Sequence, residues 1–485
     1  MKIYDIHKRN NASSKHIALY CKGQKVSYDE LENNIEQYAR YFSCLGLKYL
    51  ERVAIALPSS PEFIYAYLGI ARAGGVAVPL NLLQAPMELV FILRDCGARY
   101  LITNQEINHK LKNLPGLPLS LVVLDEKCKQ DILAARPVTF PHIDEQNVCT
   151  LLYTSGTTGN PKAAMLTHAN LIGNVISMDD ASDFGREDNF LAVLPMFHSF
   201  GWTVCVLFPL YLGCSITILD GFRPKEVLQT LIEKGITVFC GVPSMFYVLL
   251  KLHRQATFPK LKFAISGGDS ISKDHMIAFE KSFNFPIIEG YGLSEASPVV
   301  CLNPLYGKRK IKSIGIALPG IDVKVFDERD KELAAGEVGE LVVKGPNVMK
   351  GYHNREADTR EVLREGWLHS GDLAYMDEEG YFFIVGRKKE LIITAGFNVY
   401  PREVEEALIK HPSVADAAVI GVPHSTKGEE IKAYIIPEEA HSPGKKELVR
   451  FLKGSIAGYK IPEIFTITND LPRGPNGKIL KRLLK

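Results

Sequence analysis

The sequence predicts an α/β protein with a large N-terminal domain of parallel-sheet α/β subdomains, a β-rich subdomain, and a small α+β C-terminal domain. Three observations carry that expectation. Short apolar runs alternate with helical periodicity from Arg52 to Cys240, as crossovers between parallel strands require. After Gly315 the texture changes to short β-rich segments separated by Gly, Pro and acidic turns, and from Gly386 helix and strand patterns mix again.

Ser27 followed by Glu30 reads as a capping box, and Tyr28, Leu31, Ile35, Tyr38 and Phe42 then recur at helical spacing. Arg52 to Leu57 is a strand ended by Pro58, Pro61 to Ala73 is helical, and Gly74-Gly75 leads into the strand Val76 to Val78. The same alternation returns at Met87 to Asp95 with Tyr100 to Thr103, and at Lys225 to Lys234 with Ile236 to Cys240. Val323 to Phe326 and Gly339 to Lys344 mark the β-rich part, where a barrel-like or meander arrangement is expected. An amphipathic helix at Pro401 to Lys410 and strands near Ala415 to Ile420 and Lys432 to Ile436 mark the last domain.

At 485 residues the chain is too long for a single core. A hydrophobic share of 46% with 23% charged residues excludes a disordered or fibrous chain. The 57 Lys and Arg against 55 Asp and Glu leave a net charge of +2, too little field for a nucleic-acid partner. Nine cysteines stand singly without metal-ligand spacing, which fits a reducing cytoplasm. Met1 to Asn11 lacks the pattern of a secretory signal. The uncharged stretch Trp202 to Leu219 approaches a membrane span in length, but Pro209, Gly213, Ser215 and Thr217 interrupt it, so a buried helix followed by a strand is expected and no transmembrane segment.

The most specific segment is Thr154-Ser155-Gly156-Thr157-Thr158-Gly159, between Tyr153 and Asn160-Pro161-Lys162. Its hydroxyls, glycine amides and the Lys162 cation suit phosphate oxygens. A Ser/Thr/Gly surface turn is the plainer alternative, and no Gly-Lys-Ser/Thr closes the loop as in a Walker motif. Gly290-Tyr291-Gly292-Leu293-Ser294-Glu295 follows an apolar run; it resembles a hydrolase elbow only superficially, because the final glycine is missing. Ser266-Gly267-Gly268-Asp269-Ser270 is a second glycine-rich turn. Trp367-Leu368-His369-Ser370-Gly371-Asp372 and Gly386-Arg387 would alone be ordinary turns, His198 in Pro195 to Gly201 a satisfied core histidine, and Lys478 after Gly474-Pro475-Asn476-Gly477 a solvated tail.

Taken together and in this order, these motifs resemble the adenylate-forming (acyl-CoA synthetase, AMP-dependent synthetase and ligase) superfamily over nearly the whole chain, most like its medium- and long-chain fatty acid:CoA ligases. The departures are Ala163 and Gly474, where relatives carry glycine and threonine. The resemblance implies an enzyme using ATP, Mg²⁺ and coenzyme A to convert a carboxylic acid into acyl-AMP and then a thioester. It implies Lys478 as catalytic lysine, Glu295 as magnesium ligand, His198 beside the acyl carboxylate, and Lys162 with residues 154–159 on phosphate. Gly267, Gly268 and Asp269 would wall adenine, Tyr291 would pack on it between Gly290 and Gly292, and Ser294 would meet phosphate. Asp372 and Arg387 would hold ribose, and Gly396 would line the pantetheine tunnel. Domains are expected at 1–386 and 390–485, the second mobile about a hinge at 387–389 centred on Lys389.

Acetate-specific relatives carry tryptophan where this chain has Gly292, so an open pocket and a medium- or long-chain acid are expected. No aspartate stands in Pro195 to Thr203 to grip an amino group. Transfer to a separate acyl carrier protein, an aromatic acid as substrate, and an inactive nucleotide-binding scaffold are the alternatives.

Overall fold

A computed structural model describes residues 1–9, 15–111, 119–154, 161–252, 257–438, 442–473 and 479–484. The chain forms two compact units, Met1–Val323 with Val343–Leu368, and Lys324–Val342 with His369–Lys485.

The first unit holds two large sheets. One has the order Ser120–Val123, Tyr100–Thr103, Arg52–Ala56, Val76–Pro79, Val148–Thr154, Lys162–Thr167. Its first five strands are parallel and the last is antiparallel. Its strands read as unbroken apolar runs because helices cover both faces, and Val53, Ala54, Ile55 and Ala56 are fully buried. The capping box is present: Ser27 N–H donates to Glu30 at 2.7 Å and Glu30 N–H to Ser27 Oγ at 3.3 Å, opening the helix Tyr28–Cys44. Ser60 caps the helix Pro61–Arg72, whose proline occupies the first turn, where an amide hydrogen has no partner to lose.

The nine-stranded sheet is parallel through its centre, from Ile287–Gly292 through Phe263–Ser266, Val238–Gly241, Asn189–Ala192 and Ser215–Ile218 to Ile17–Cys21, with antiparallel strands at the edges. The uncharged stretch is a buried helix and strand, as expected, with one difference. Phe200–Leu207 is a π-helix, and Phe208 N–H reaches back five residues to Thr203 O before Phe208–Leu212 resumes an α-helix. Pro209 has no amide hydrogen for the α-helical ladder, and a wider turn just before it absorbs the mismatch. Among the described residues no helix is long and apolar enough to cross a membrane.

The strand Trp367–Met376 pairs antiparallel with Phe382–Arg387 through Asp372 to Met376, within the second unit. The last sheet runs Phe397–Val399, Ile392–Thr394, Gly428–Pro437, Val414–His424, with Ile464–Ile467 parallel to Gly428–Pro437. Helices Pro401–Ile409 and Lys445–Leu452 pack their apolar stripes on it, burying Val404, Leu408, Val419, Ile431, Ile435 and Leu448.

Candidate active site

Thr154 and Lys162 are directly opposite each other on antiparallel strands. Ser155, Gly156, Thr157, Thr158 and Gly159 lie between them and outside the described residues, as do Lys478 and Gly474. The ends of the loop are therefore fixed by ladder pairing at the edge of the sheet.

Glu295 sits on the 3-10 turn Ser294–Ala296 that follows the strand Ile287–Gly292. Its Oε1 accepts the Tyr352 hydroxyl at 2.9 Å, and Thr154 Oγ1 lies 3.4 Å away. Lys162 Nζ pairs with Asp358 Oδ1 at 2.5 Å and stands 5.6 Å from the centre of the Tyr352 ring. Burial, and then the Glu295 carboxylate, push the Tyr352 phenol far above its usual range, so it remains a donor to Glu295. Tyr352 and Asp358 arrive because residues 350–353 run along the strand Lys162–Thr167: Lys350 N–H donates to Met165 O, Met165 N–H to Gly351 O, and His353 N–H to Ala163 O, all at 2.9 or 3.0 Å. Met349 N–H donates to Glu295 O at 2.8 Å, so one segment touches both the strand Lys162–Thr167 and the Glu295 turn. Ala163 is buried on the strand that this segment follows.

Sequence reading missed Tyr352 and Asp358. The available signal was Gly351-Tyr352 before the short helix Glu356–Val362, with Asp358 on its first turn.

Ser294 Oγ is 3.3 Å from Ser199 Oγ, which brings the 290–295 segment against the His198 segment. The Phe200 amide donates to His198 Nδ1 at 3.3 Å, so the neutral ring carries its hydrogen on Nε2. The Phe200 ring stands over Gly267, 3.2 Å from where a Cβ would be. Gly268 and Asp269 continue that turn, and Asp269 Oδ1 accepts Ser270 N–H at 2.8 Å. Tyr291 and Gly290 pair with Cys301 and Leu302. At Gly292 an added Cβ would lie 2.3 Å from Pro298 O, because the ladder shifts register between Tyr291 and Gly292 and brings the two backbones together. The missing side chain at 292 thus answers a close backbone approach.

Within the second unit Asp372 faces Arg387 across the antiparallel pair, with Arg387 Nε 2.7 Å from Asp372 Oδ1. The Asp372 side chain is 6% exposed and that of Arg387 44%, so the acid is held from below while the cation reaches solvent. Lys389 is exposed on the 3-10 turn Lys388–Glu390, and Gly396 lies between strands Ile392–Thr394 and Phe397–Val399.

Among the described residues no three His, Cys, Asp or Glu side chains gather as a metal cage. Glu295 suits Mg²⁺ as a single carboxylate ligand, since that cation usually takes one or two carboxylates with phosphate and water oxygens.

The family model for the AMP-binding enzyme matches residues 6–353, and that for the AMP-binding enzyme C-terminal domain matches 403–478. A long-chain-fatty-acid–CoA ligase of Bacillus subtilis (strain 168) is 35% identical over 505 residues, covering 95% of this chain and 90% of that one. A feruloyl-CoA synthase of Amycolatopsis sp is 36% identical over 464 residues, covering 95% and 93%. The structure of the O-succinylbenzoate coenzyme A synthetase of Bacillus subtilis in complex with ATP and magnesium ion superposes with a TM-score of 0.90 at 28% identity, covering 100% of this chain and 99% of that one. The paired strands ending at Thr154 and Lys162, the Glu295 turn and the Asp372–Arg387 pair thus occur in a chain that, by these matches, belongs to the AMP-binding enzyme family.

Proposed function

We propose that this ATP-dependent acid:CoA ligase acts on a medium- or long-chain fatty acid. The acid's carboxylate attacks the α-phosphorus of ATP to give acyl-AMP and pyrophosphate, and the CoA thiol then displaces AMP. The observation that carries the site assignment is the convergence of Thr154, Glu295 and Lys162 around Tyr352. In this reading Lys162 and Lys478 offset charge on the phosphoryl oxygens, and Mg²⁺ held by Glu295 supplies further positive charge to the phosphates. His198 borders the acid's carboxylate. Residues 154–159 and Ser294 meet phosphate, while Gly267, Gly268, Asp269 and Tyr291 enclose adenine between Gly290 and Gly292. Asp372 and Arg387 hold ribose. The domain reading remains 1–386 and 390–485 about Lys389, with Gly396 brought to the CoA arm for the second step. The reducing surroundings implied by nine free cysteines support a cytoplasmic location.

The fatty-acid reading rests on likeness to the Bacillus ligase. An aromatic acid is the second reading, favoured by the equally similar feruloyl-CoA synthase. Pyrophosphate release with ATP and Mg²⁺ across a panel of acids of rising chain length, hydroxycinnamates, benzoates and amino acids separates them. The expected maximum falls on medium or long chains. A maximum on hydroxycinnamates transfers the assignment to the second reading, and no release with any acid sinks both. Thioester formation from the best acid with CoA, compared with a purified carrier protein, identifies the thiol.

A further inference from the structure

Glu340 is a carboxylate in the strand Gly339–Lys344 with its side chain only 8% exposed. Between them its two oxygens reach both the 369–371 segment and Lys388. Oε1 accepts Gly371 N–H at 3.1 Å, while Oε2 pairs with Lys388 Nζ at 3.0 Å and lies 3.3 Å from His369 Nδ1. The neighbouring Ser370 completes the support: its hydroxyl donates to Leu341 O at 2.6 Å and accepts Asp372 N–H at 3.0 Å. Two successive amides, those of Gly371 and Asp372, are thereby fixed just before the carboxylate that pairs with Arg387. Burial raises the Glu340 pKa, but the hydrogen bonds from His369 and Lys388 outweigh it and hold it at about 2, so the anion persists at every working pH.

Lys388 stands between Arg387 and the exposed Lys389. From this juxtaposition we infer that Glu340 is a positioning residue that clamps the fixed end of the hinge, so that rotation begins at Lys389 while Asp372 and Arg387 keep their geometry through both half-reactions. The inference rests on the hinge assignment made under the proposed function. A rotation that began upstream would move Arg387 along with Lys388 and open the Asp372–Arg387 pair. The Glu340 anion opposes this, because the departure of Lys388 would leave a largely buried carboxylate with only His369 and the Gly371 amide as partners. A clamp of this kind acts on the step that follows rotation, since a loose pivot lowers the share of molecules in the second orientation.

The test separates the half-reactions in the full-length enzyme: pyrophosphate release from ATP and acid, and thioester formation from preformed acyl-AMP and CoA. Glu340→Gln keeps an acceptor for Gly371 N–H but loses the charge facing Lys388, and Lys388→Met removes the cation without touching the buried carboxylate. Each is expected to slow thioester formation about fivefold to tenfold relative to pyrophosphate release, an ordinary coupling between sites. The double variant should be no slower than either single, as for two residues acting through one contact. Lys388→Arg should restore most of the ratio. Equal losses in both half-reactions, single-variant losses that multiply in the double variant, or parental rates in Lys388→Met would each overturn the clamp. Lys389→Pro distinguishes the underlying reading, because proline fixes φ at the pivot. If it stops thioester formation while the Glu340 and Lys388 variants do not change it, only the clamp fails. If thioester formation survives Lys389→Pro, the hinge assignment fails and the clamp with it.

Discussion

Tyr352 donates its hydroxyl hydrogen to Glu295 Oε1 at 2.9 Å, and its ring lies 5.6 Å below the Lys162 ammonium. A single aromatic side chain thus aims the acid and backs the cation that the family resemblance assigns to magnesium and phosphate. Replacing it with phenylalanine keeps the ring under Lys162 and removes only the donor. Hydrogen bonds to charged groups contribute about 1.5–3 kcal/mol, so Tyr352→Phe should lower pyrophosphate release roughly tenfold or more and raise the Mg²⁺ concentration needed for half the rate. A magnesium titration indistinguishable from the parent's would show that Glu295 needs no orienting partner.

Asp358 bears on the other charge. It neutralises Lys162 across 2.5 Å, with side chains 29% and 19% exposed, so under the proposed assignment a triphosphate competes with a carboxylate for that ammonium. Ion pairs in partial contact with water contribute about 1 kcal/mol or less. Asp358→Asn is therefore expected to lower the KM for ATP by about twofold to fivefold, with a smaller effect on the rate at saturating ATP. A raised KM would mean that Asp358 holds Lys162 in position for phosphate rather than withholding it.

Why the sequence revealed one half of this cluster and not the other follows from what local pattern encodes. Thr154 and Lys162 flank a glycine- and hydroxyl-rich loop, and Glu295 ends a strand before a turn; such features are legible because backbone requirements leave compositional marks. Tyr352 and Asp358 meet Glu295 and Lys162 across 57 and 196 positions, and no periodicity specifies which distant side chains face each other. The alternating sheets and crossovers were legible for the first reason. Glu340 escaped for the second: a charged residue in a short strand reads as its solvent side, and only the fold sets it beneath the turn at Gly371. In the π-helix Phe200–Leu207 every residue from Gly201 to Leu207 is buried, and uniform hydrophobicity carries no period to betray a change of helical register.

Gly292 illustrates how a specificity argument meets a backbone constraint. A Cβ there would sit 2.3 Å from Pro298 O and 2.8 Å from the Pro298 carbonyl carbon. In this chain even a methyl group must push the strand Ile287–Gly292 from its neighbour, and overpacking of that kind costs about 1–3 kcal/mol. Gly292→Ala should lower the urea midpoint and reduce pyrophosphate release with acids of every length together. Selective loss of the longest acids at unchanged stability would show instead that position 292 acts only as the pocket floor.

His168 supplies a pH dependence remote from this chemistry. It is 2% exposed, accepts Ile3 N–H on Nδ1 at 3.3 Å, and meets the Tyr4 ring edge-on. Burial, followed by the charges of Lys2 and the N-terminus, lowers its pKa to about 3. The unfolded chain takes up a proton near pH 6.5, whereas the folded chain does so only near pH 3. Between those values the unfolded state binds more protons, so the contribution is fully present above pH 6.5 and is lost as the pH falls toward 3. The slope from this one site is at most about 1.4 kcal/mol per pH unit. His168→Gln retains an acceptor for Ile3 N–H and should flatten the decline in urea midpoint between pH 6.5 and 4.5. An unchanged slope would assign the decline to other groups.

The assigned role of Lys478 can be tested against a frame that is visible on either side of it. Arg473 and Ile479 form an antiparallel bridge, Leu480 N–H donates to Pro472 O at 2.7 Å, and Arg473 pairs with Asp416. Lys481 Nζ, with its side chain 18% exposed, lies 3.0 Å from Glu390 Oε2 and 2.8 Å from Glu405 Oε1. These contacts anchor the chain before and after the lysine independently of its own side chain, so truncation at 478 should leave the second unit folded. Loss of one preorganised charge at a reacting phosphoryl group commonly costs about 10²-fold to 10³-fold. Lys478→Ala is expected to lose that much in pyrophosphate release while forming thioester from supplied acyl-AMP at nearly the parental rate. Equal losses in both half-reactions would instead indicate a general structural role, and a full rate of acyl-AMP formation would remove Lys478 from the adenylation step.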